Sequence, residues 1–207
     1  MKIDGIQAGK PAVSGGVRTA FAKRPLAGRV RIGTTNLEGD AQADRRYHGG
    51  PDMAVLAYSA EHYPAWRVEL AWPDLPLGGF GENLSVSGAT EETACIGDVW
   101  RAGTATLQIA SPRKPCRKIA AFWGRPELLR LVQRNGRIGW YLRVIEEGAV
   151  AQGSAVDLIA RPHPEWTVRA AFAAGQERGS PQALALAAVP ALSERWRSWL
   201  RGEPARV

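Results

Sequence analysis

Thr104-Ala105-Thr106-Leu107-Gln108-Ile109-Ala110, followed by Ser111-Pro112-Arg113-Lys114-Pro115-Cys116-Arg117-Lys118, is the stretch whose reading decides the fold. Its first half alternates and is rich in β-formers, so it is a strand. Ile96-Gly97-Asp98-Val99-Trp100-Arg101-Ala102-Gly103 precedes it, and the two together form a hairpin that feeds a basic loop. Past the loop, Ile119, Phe122 and Trp123 fall on one helical face before Gly124 stops the helix. Pro115 suits the first helical turn, where a missing N–H costs little. Cys116 then sits at a helix N-terminus, where unpaired N–H groups and the macrodipole favour negative charge. Arg113, Lys114, Arg117 and Lys118 surround it with no carboxylate in the stretch. Both effects favour thiolate over thiol. Such a thiolate serves as nucleophile, sulfur carrier or soft metal ligand. The plain alternative is an ordinary cysteine in a solvated basic loop.

Toward the N-terminus the pattern is short strands separated by glycines. Met1 to Gln7 reads as an edge strand, Val17 to Ala22 alternates, and Ala27 to Gly33 places Val30 and Ile32 on one face. Many short strands with Gly-rich turns indicate a barrel or sandwich rather than a parallel βαβ sheet. A long polar loop, residues 36–52, holds Asp40, Asp44, His48 and Asp52 at intervals of four. Gly49-Gly50-Pro51 excludes a helix there, so the spacing matches no recognisable metal pattern, and His48 is the better candidate for a pocket hydrogen-bond donor. Met53 to Tyr58 is a continuous apolar run and predicts a buried central strand. Ser59 caps a predicted helix through Leu70, with Tyr63, Trp66 and Leu70 on one face, Pro64 in its first turn and His62 as a surface or packing residue. Leu77-Gly78-Gly79-Phe80-Gly81-Glu82-Asn83-Leu84 reads as a rigid turn presenting polar groups, or as a glycine-rich hairpin connection.

Toward the C-terminus, Pro126 to Gln133 predicts a helix with Leu128, Leu129 and Val132 buried. Gly139 to Ile145 and Gly153 to Ala160 predict strands, with Val156 and Leu158 alternating against Asp157. Composition shifts to Ala and Leu at a linker near 161–165. Helices are predicted at Thr167 to Ala174, Pro181 to Ala188 and Ser193 to Leu200, the second with a serine cap and Pro at its first position. The division is a β domain over 1–163 and a helical appendage over 164–207. The appendage is too short to fold alone and must pack on the barrel or on a partner. Its Trp196 and Trp199, if exposed, would be covered by a second copy, so a homodimer is expected.

The 207-residue chain carries a net charge of +7, which favours anionic partners. The positive residues are spread out, with no Lys/Arg tract and no zinc-finger or RNP-like signature, so a small anion fits better than nucleic acid. No apolar run approaches the roughly 18 residues of a membrane span, and Met1-Lys2-Ile3-Asp4-Gly5 opens no signal peptide, so a cytoplasmic protein is expected. Cys95 and Cys116 form neither a CxxC nor a zinc spacing, and Cys95 reads as structural.

The ordered set Asp40-Ala41-Gln42-Ala43-Asp44 with His48-Gly49-Gly50, Phe80-Gly81-Glu82-Asn83-Leu84, Ile96-Gly97-Asp98 and Pro112-Arg113-Lys114-Pro115-Cys116 resembles the MOSC domain, the C-terminal module of molybdenum cofactor sulfurases. With the helical tail, it is most similar to the stand-alone, YiiM-like branch. The resemblance implies a mainly β (α+β) fold, a MOSC-type β-barrel with short helices plus a small three-helix C-terminal appendage. It implies molybdenum cofactor as ligand and Cys116 as the catalytic or molybdenum-ligating thiolate. It also implies reduction of N-hydroxylated compounds such as hydroxylaminopurine bases, fed by an electron-donor protein. Ser111 stands where glutamine is also common in the family. Pyridoxal phosphate is not expected, because no Schiff-base lysine motif is present.

On this reading Cys116, His48 and Glu82 form the catalytic set. Arg113, Lys114, Asn83, Lys23, Arg24 and Asp44 form the cofactor-binding set, the cations meeting phosphate and Asn83 helping to orient substrate. The alternative function is a non-catalytic carrier that holds the cofactor, or a Cys116 persulfide, and hands it on.

Overall fold

The computed structural model describes residues 1–14, 17–43 and 49–203. β1 spans Lys2–Ala8, and a ribbon of β2 (Ala12–Ser14) and β3 (Val17–Thr19) follows. Next come β4 (Arg24–Pro25) and β5 (Val30–Ile32). A 3-10 turn at Pro51–Met53 leads to β6 (Val55–Ser59) and α1 (His62–Glu69). β7 (Leu84–Ser87), β8 (Val99–Ala102) and β9 (Ala105–Pro112) precede α2 (Lys118–Trp123) and α3 (Glu127–Asn135). β10 (Trp140–Glu146), β11 (Gly148–Val150) and β12 (Val156–Ala160) follow, then α4 (Val168–Ala174), α5 (Pro181–Ala187) and α6 (Glu194–Leu200).

Eight strands form one sheet in the order β12-β8-β9-β10-β6-β7-β1-β4, antiparallel except for the parallel β6–β7 pair. The sheet curls into a half-barrel. β1, far along that order, meets the entrance of β12: Ile3 N–H donates to Ser154 O at 3.0 Å, and Val156 N–H to Met1 O at 2.9 Å. β6 is buried along its whole length, as its apolar run requires of a strand flanked on both sides. Beneath it, the rings of Tyr58 and Phe80 stack at 4.6 Å, with Trp66 5.1 Å from Phe80. The β8–β9 hairpin forms as its alternation predicts, and α2 ends in a left-handed Gly124.

Five local expectations are revised. β1 is an interior strand between β7 and β4, because pairing partners are chosen by the whole sheet. The strand expected over 17–22 ends at Thr19, where Phe21 turns into the core. Ser59 does not cap α1: it pairs with Val86 as the last residue of β6, and the helix begins at His62. Leu129 is only half-buried, and Leu158 is exposed on the outer edge strand.

The three tail helices form where predicted, each capped by a hydroxyl: Thr167 accepts from Ala170 N, Ser180 from Ala183 N and Ser193 from Trp196 N. The tail lies on the sheet. Val168 N–H donates to Ala94 O and Ser193 N–H to Ala110 O, both at 2.8 Å. Val168, Ala171, Leu186 and Leu200 join the same buried cluster as the strands. Trp196 is 4% exposed, and the chain's own Lys114 lies over the half-buried Trp199. No helix among the described residues is long and apolar enough to cross a membrane.

Candidate functional site

β9 delivers the basic loop, and its pairing with β10 runs on past Pro112: Arg113 N–H donates to Gly139 O at 3.1 Å. The Arg113 side chain turns inward, where Nη1 donates to Phe80 O at 2.6 Å. Cys116, half-buried, lies one residue ahead of the cap Arg117, so it stands at the mouth of α2 as predicted. Lys114 is exposed along much of its length, yet its ammonium lies 3.1 Å from the centre of the Trp199 ring and 5.0 Å from that of Trp196. Desolvation against those rings, with Arg195 and Arg178 nearby, lowers its pKa to about 7.

Two clefts meet at this loop, and Cys116, Lys114, Met53 and Tyr141 line both. The inner cleft holds about 680 Å³ and the outer about 1070 Å³, counting their open mouths. Without their open mouths the outer cleft is about 410 Å³, within the roughly 300–1,000 Å³ of small-molecule sites, and the inner is a narrower slot of about 100 Å³. Among the described residues, the inner cleft presents Lys23, Arg113, Lys114 and Lys118 against one carboxylate, Asp40. That carboxylate is already engaged. It accepts from Lys23 Nζ at 2.5 Å, Gly9 N at 2.8 Å and Asn83 Nδ2 at 2.9 Å. The Lys23–Asp40 pair is 7% and 4% exposed, and burial pulls the Lys23 pKa down while Asp40 partly restores it. Tyr141 is the neutral polar group common to both clefts. Burial raises its pKa and Arg113 opposes that rise.

The structure thus brings Lys23, Asn83, Arg113, Lys114 and Cys116 together. Asn83 is also a stitch: Oδ1 accepts from Leu56 N at 3.0 Å and Nδ2 donates to Gln7 O at 3.2 Å. Two expected residues lie elsewhere. Arg24 is exposed and lines neither cleft, because neighbouring residues in extended chain point to opposite sides and Lys23 takes the inner one. Glu82 is fully buried and lines neither cleft. Its carboxylate accepts from Gly78 N, Phe80 N, Ser85 Oγ and Tyr63 Oη, so it organises its own loop rather than moving substrate protons. Asp44 and His48 lie outside the described residues. Of the four regularly spaced residues in that loop, Asp40 binds Lys23, while Asp52 pairs with Arg143 at 2.9 Å. Among the described residues, no group of three His, Cys, Asp or Glu could hold a metal ion.

Several contributors were missed from sequence. His62 is more than packing: its Nε2 lies 2.5 Å from Glu91 Oε2, and Glu91 Oε1 accepts from Gly139 N at 2.7 Å. Gly139 in turn accepts from Arg113, so this buried pair braces the strand behind the site. Tyr141 was placed in a strand with no signal for its facing. Ser193, Arg195 and Trp196 of the tail line the outer cleft, a contact that no local pattern encodes. Cys95 is buried and free as expected, and burial raises its pKa.

Against known proteins, residues 44–157 match the family model of the MOSC domain. The chain belongs to the MOSC domain family. It is 48% identical over 145 residues to the uncharacterised protein YflK of Bacillus subtilis, covering 70% of this chain and 65% of that protein. It is 37% identical over 162 residues to a protein named "Reductase" from Gibberella moniliformis, covering 77% of this chain but only 29% of that protein. Protein YiiM of Escherichia coli is 36% identical over 164 residues, covering 77% and 69%. The crystal structure of YiiM from Geobacillus stearothermophilus superposes with a TM-score of 0.81 at 30% identity, covering 97% of both chains. This is therefore a YiiM-like MOSC protein, and its tail helices belong to the shared architecture.

Family membership brings molybdenum cofactor into view, and the residues present fit it. The cofactor is electron-rich and phosphate-bearing, with a soft metal. The inner cleft offers one thiol, an excess of cations and a carboxylate already neutralised by its partners.

Proposed function

We propose that this protein binds molybdenum cofactor at the junction of the two clefts and reduces N-hydroxylated compounds. The observation that carries the reading is the position of Cys116, a free thiol on the wall common to a cationic cleft and a larger one. Cys116 Sγ would ligate molybdenum. Lys23, Arg113, Lys114 and Lys118 would hold the anionic part, Arg113 with its fork already oriented by Phe80 O. When bound, the cofactor supplies electrons received from an electron-donor protein of the cytoplasm.

The reaction is R–NHOH + 2 e⁻ + 2 H⁺ → R–NH₂ + H₂O. The N–O bond breaks, nitrogen is reduced and oxygen leaves as water. Tyr141, on the common wall, presents a phenol able to hydrogen-bond the departing hydroxyl and pass it a proton. The reductase-named relative supports this direction of chemistry. The test is turnover of an N-hydroxylated base by cofactor-loaded protein with a reduced viologen dye, for wild type and Cys116→Ser. Wild-type turnover that falls to background in the variant supports the reading, and equal turnover overturns it. Wild-type protein that binds cofactor, turns nothing over and transfers the cofactor to an apo-acceptor is a carrier instead.

A further inference from the structure

The walls of the inner cleft are held in two different ways. Arg113, Tyr141, Leu56 and Asn83 are bound into the main sheet through β10, β6 and their backbone hydrogen bonds. Thr19, Ala20 and Phe21 instead come from the β2–β3 ribbon and its exit. That ribbon is a sheet of its own, and among the described residues no backbone hydrogen bond ties residues 12–20 to the main sheet. It leaves and rejoins the barrel at one point, where Gly9 N and Lys23 Nζ both donate to Asp40 Oδ1, at 2.8 and 2.5 Å. The two crossings touch: a Cβ on Gly9 would lie 2.8 Å from Ala22 O, so the pinched base needs glycine. Past that base, the Phe21 ring lies 5.1 Å from the ring of Phe122 on α2, the helix whose mouth carries Cys116. The slot between these walls is about 100 Å³, well below the roughly 300 Å³ at which small-molecule sites begin. A phosphate-sized group enters it as it stands, and anything larger needs a wall to move. The main-sheet wall moves only by breaking its ladders, whereas the ribbon has chiefly a ring contact to give up.

We infer that the β2–β3 ribbon is a gate on the inner cleft, pivoting where Asp40 holds its two ends and latched shut by Phe21 against Phe122. The inference rests on the cofactor reading for what enters, but not for the motion. On opening, Phe21 leaves Phe122, and the slot widens between residues 19–21 on one side and Cys116 with Lys118 on the other. Lys23 stays on Asp40 at the pivot, so a cation for the ligand keeps its place while the wall beside it swings. On closing, the ribbon seals the slot and keeps water from the thiol.

The test uses the purified full chain, with hydrogen exchange of the apo protein read first. Phe122→Ala is expected to speed exchange across residues 17–22 about fivefold, the size of a lost aromatic contact, and to leave β9 unchanged. Phe122→Leu keeps an apolar contact and is expected to fall between. Phe172→Ala removes a half-buried ring from the tail instead and is expected to leave the ribbon within twofold of wild type. With molybdenum cofactor released from a molybdenum enzyme as probe, Phe122→Ala is expected to take it up and lose it about fivefold faster than wild type, followed by tryptophan fluorescence. Circular dichroism checks that each variant is folded. Unchanged ribbon exchange in Phe122→Ala, an equal rise in Phe172→Ala, or faster exchange with unchanged uptake and loss of cofactor overturns the gate. Faster exchange confined to the ribbon, in a protein whose wild type takes up no cofactor, upholds the gate and defeats the cofactor reading alone.

Discussion

Two loops of this protein look alike in sequence and behave as opposites in structure. Residues 77–83 and 111–118 are both short, rich in Gly or Pro, and carry polar groups between a helix and a strand. The first turns its polar groups inward. The Glu82 carboxylate accepts four hydrogen bonds, Trp123 Nε1 donates to Gly79 O, and Gly81 adopts φ +78° with a would-be Cβ 2.8 Å from the Phe21 ring. The second ties Arg113 to Phe80 O and leaves Cys116 and Lys114 lining the clefts. A polar group that is buried and fully paired holds a shape, while one at a cavity wall is left for a ligand. Asp40 belongs with the first kind although it lines the inner cleft, because its carboxylate is already taken by Lys23, Gly9 N and Asn83 Nδ2.

This contrast is broken or sharpened by substitution. The largest stability loss is expected for Asp40→Ala, which strands the Lys23 ammonium in a buried site beside Arg113 and frees Gly9 N and Asn83 Nδ2. Breaking such a pair costs about 3–5 kcal/mol, read as the drop in unfolding free energy in urea. Next is Glu82→Ala, where several buried donors lose one acceptor, each costing roughly 1–3 kcal/mol. A loss of about 3 kcal/mol is expected there, and a loss below about 1 kcal/mol would return Glu82 to the candidate catalytic residues.

Smaller is Trp199→Ala, which removes the ring beneath Lys114 and is expected to cost about 1 kcal/mol from that contact and its packing. The least is a slope with pH. The Lys114 pKa is about 7 in the folded chain against 10.5 as the ordinary value. The unfolded chain therefore binds the extra proton between those values, and stability rises with pH across that window. Urea melts from pH 7 to 10 are expected to show wild type gaining on Lys114→Met as pH rises, and a gain in the opposite direction would contradict the placement of Lys114.

What was legible in the sequence follows from what is local. The β8–β9 hairpin, the Gly124 stop and the three hydroxyl-capped tail helices are set by neighbours within a few residues, and all form as read. The interior position of β1, the use of Ser59 as a strand end and the choice of Lys23 over Arg24 depend on partners far along the chain. The same holds at the site. Cys116 announces itself by its basic neighbours, but that Glu82 points inward and that Arg195 and Trp196 reach the outer cleft are facts of packing.

The central claim is that the Cys116 thiol, where the two clefts meet, holds molybdenum. The direct measurement is the molybdenum-to-protein ratio of wild type and Cys116→Ala purified from a host that makes the cofactor, alongside their urea melts. The account predicts molybdenum in wild type and its loss from the variant, with stability changed by about 0.5 kcal/mol or less, as expected for a half-buried side chain that braces nothing. Equal molybdenum in both proteins would contradict it.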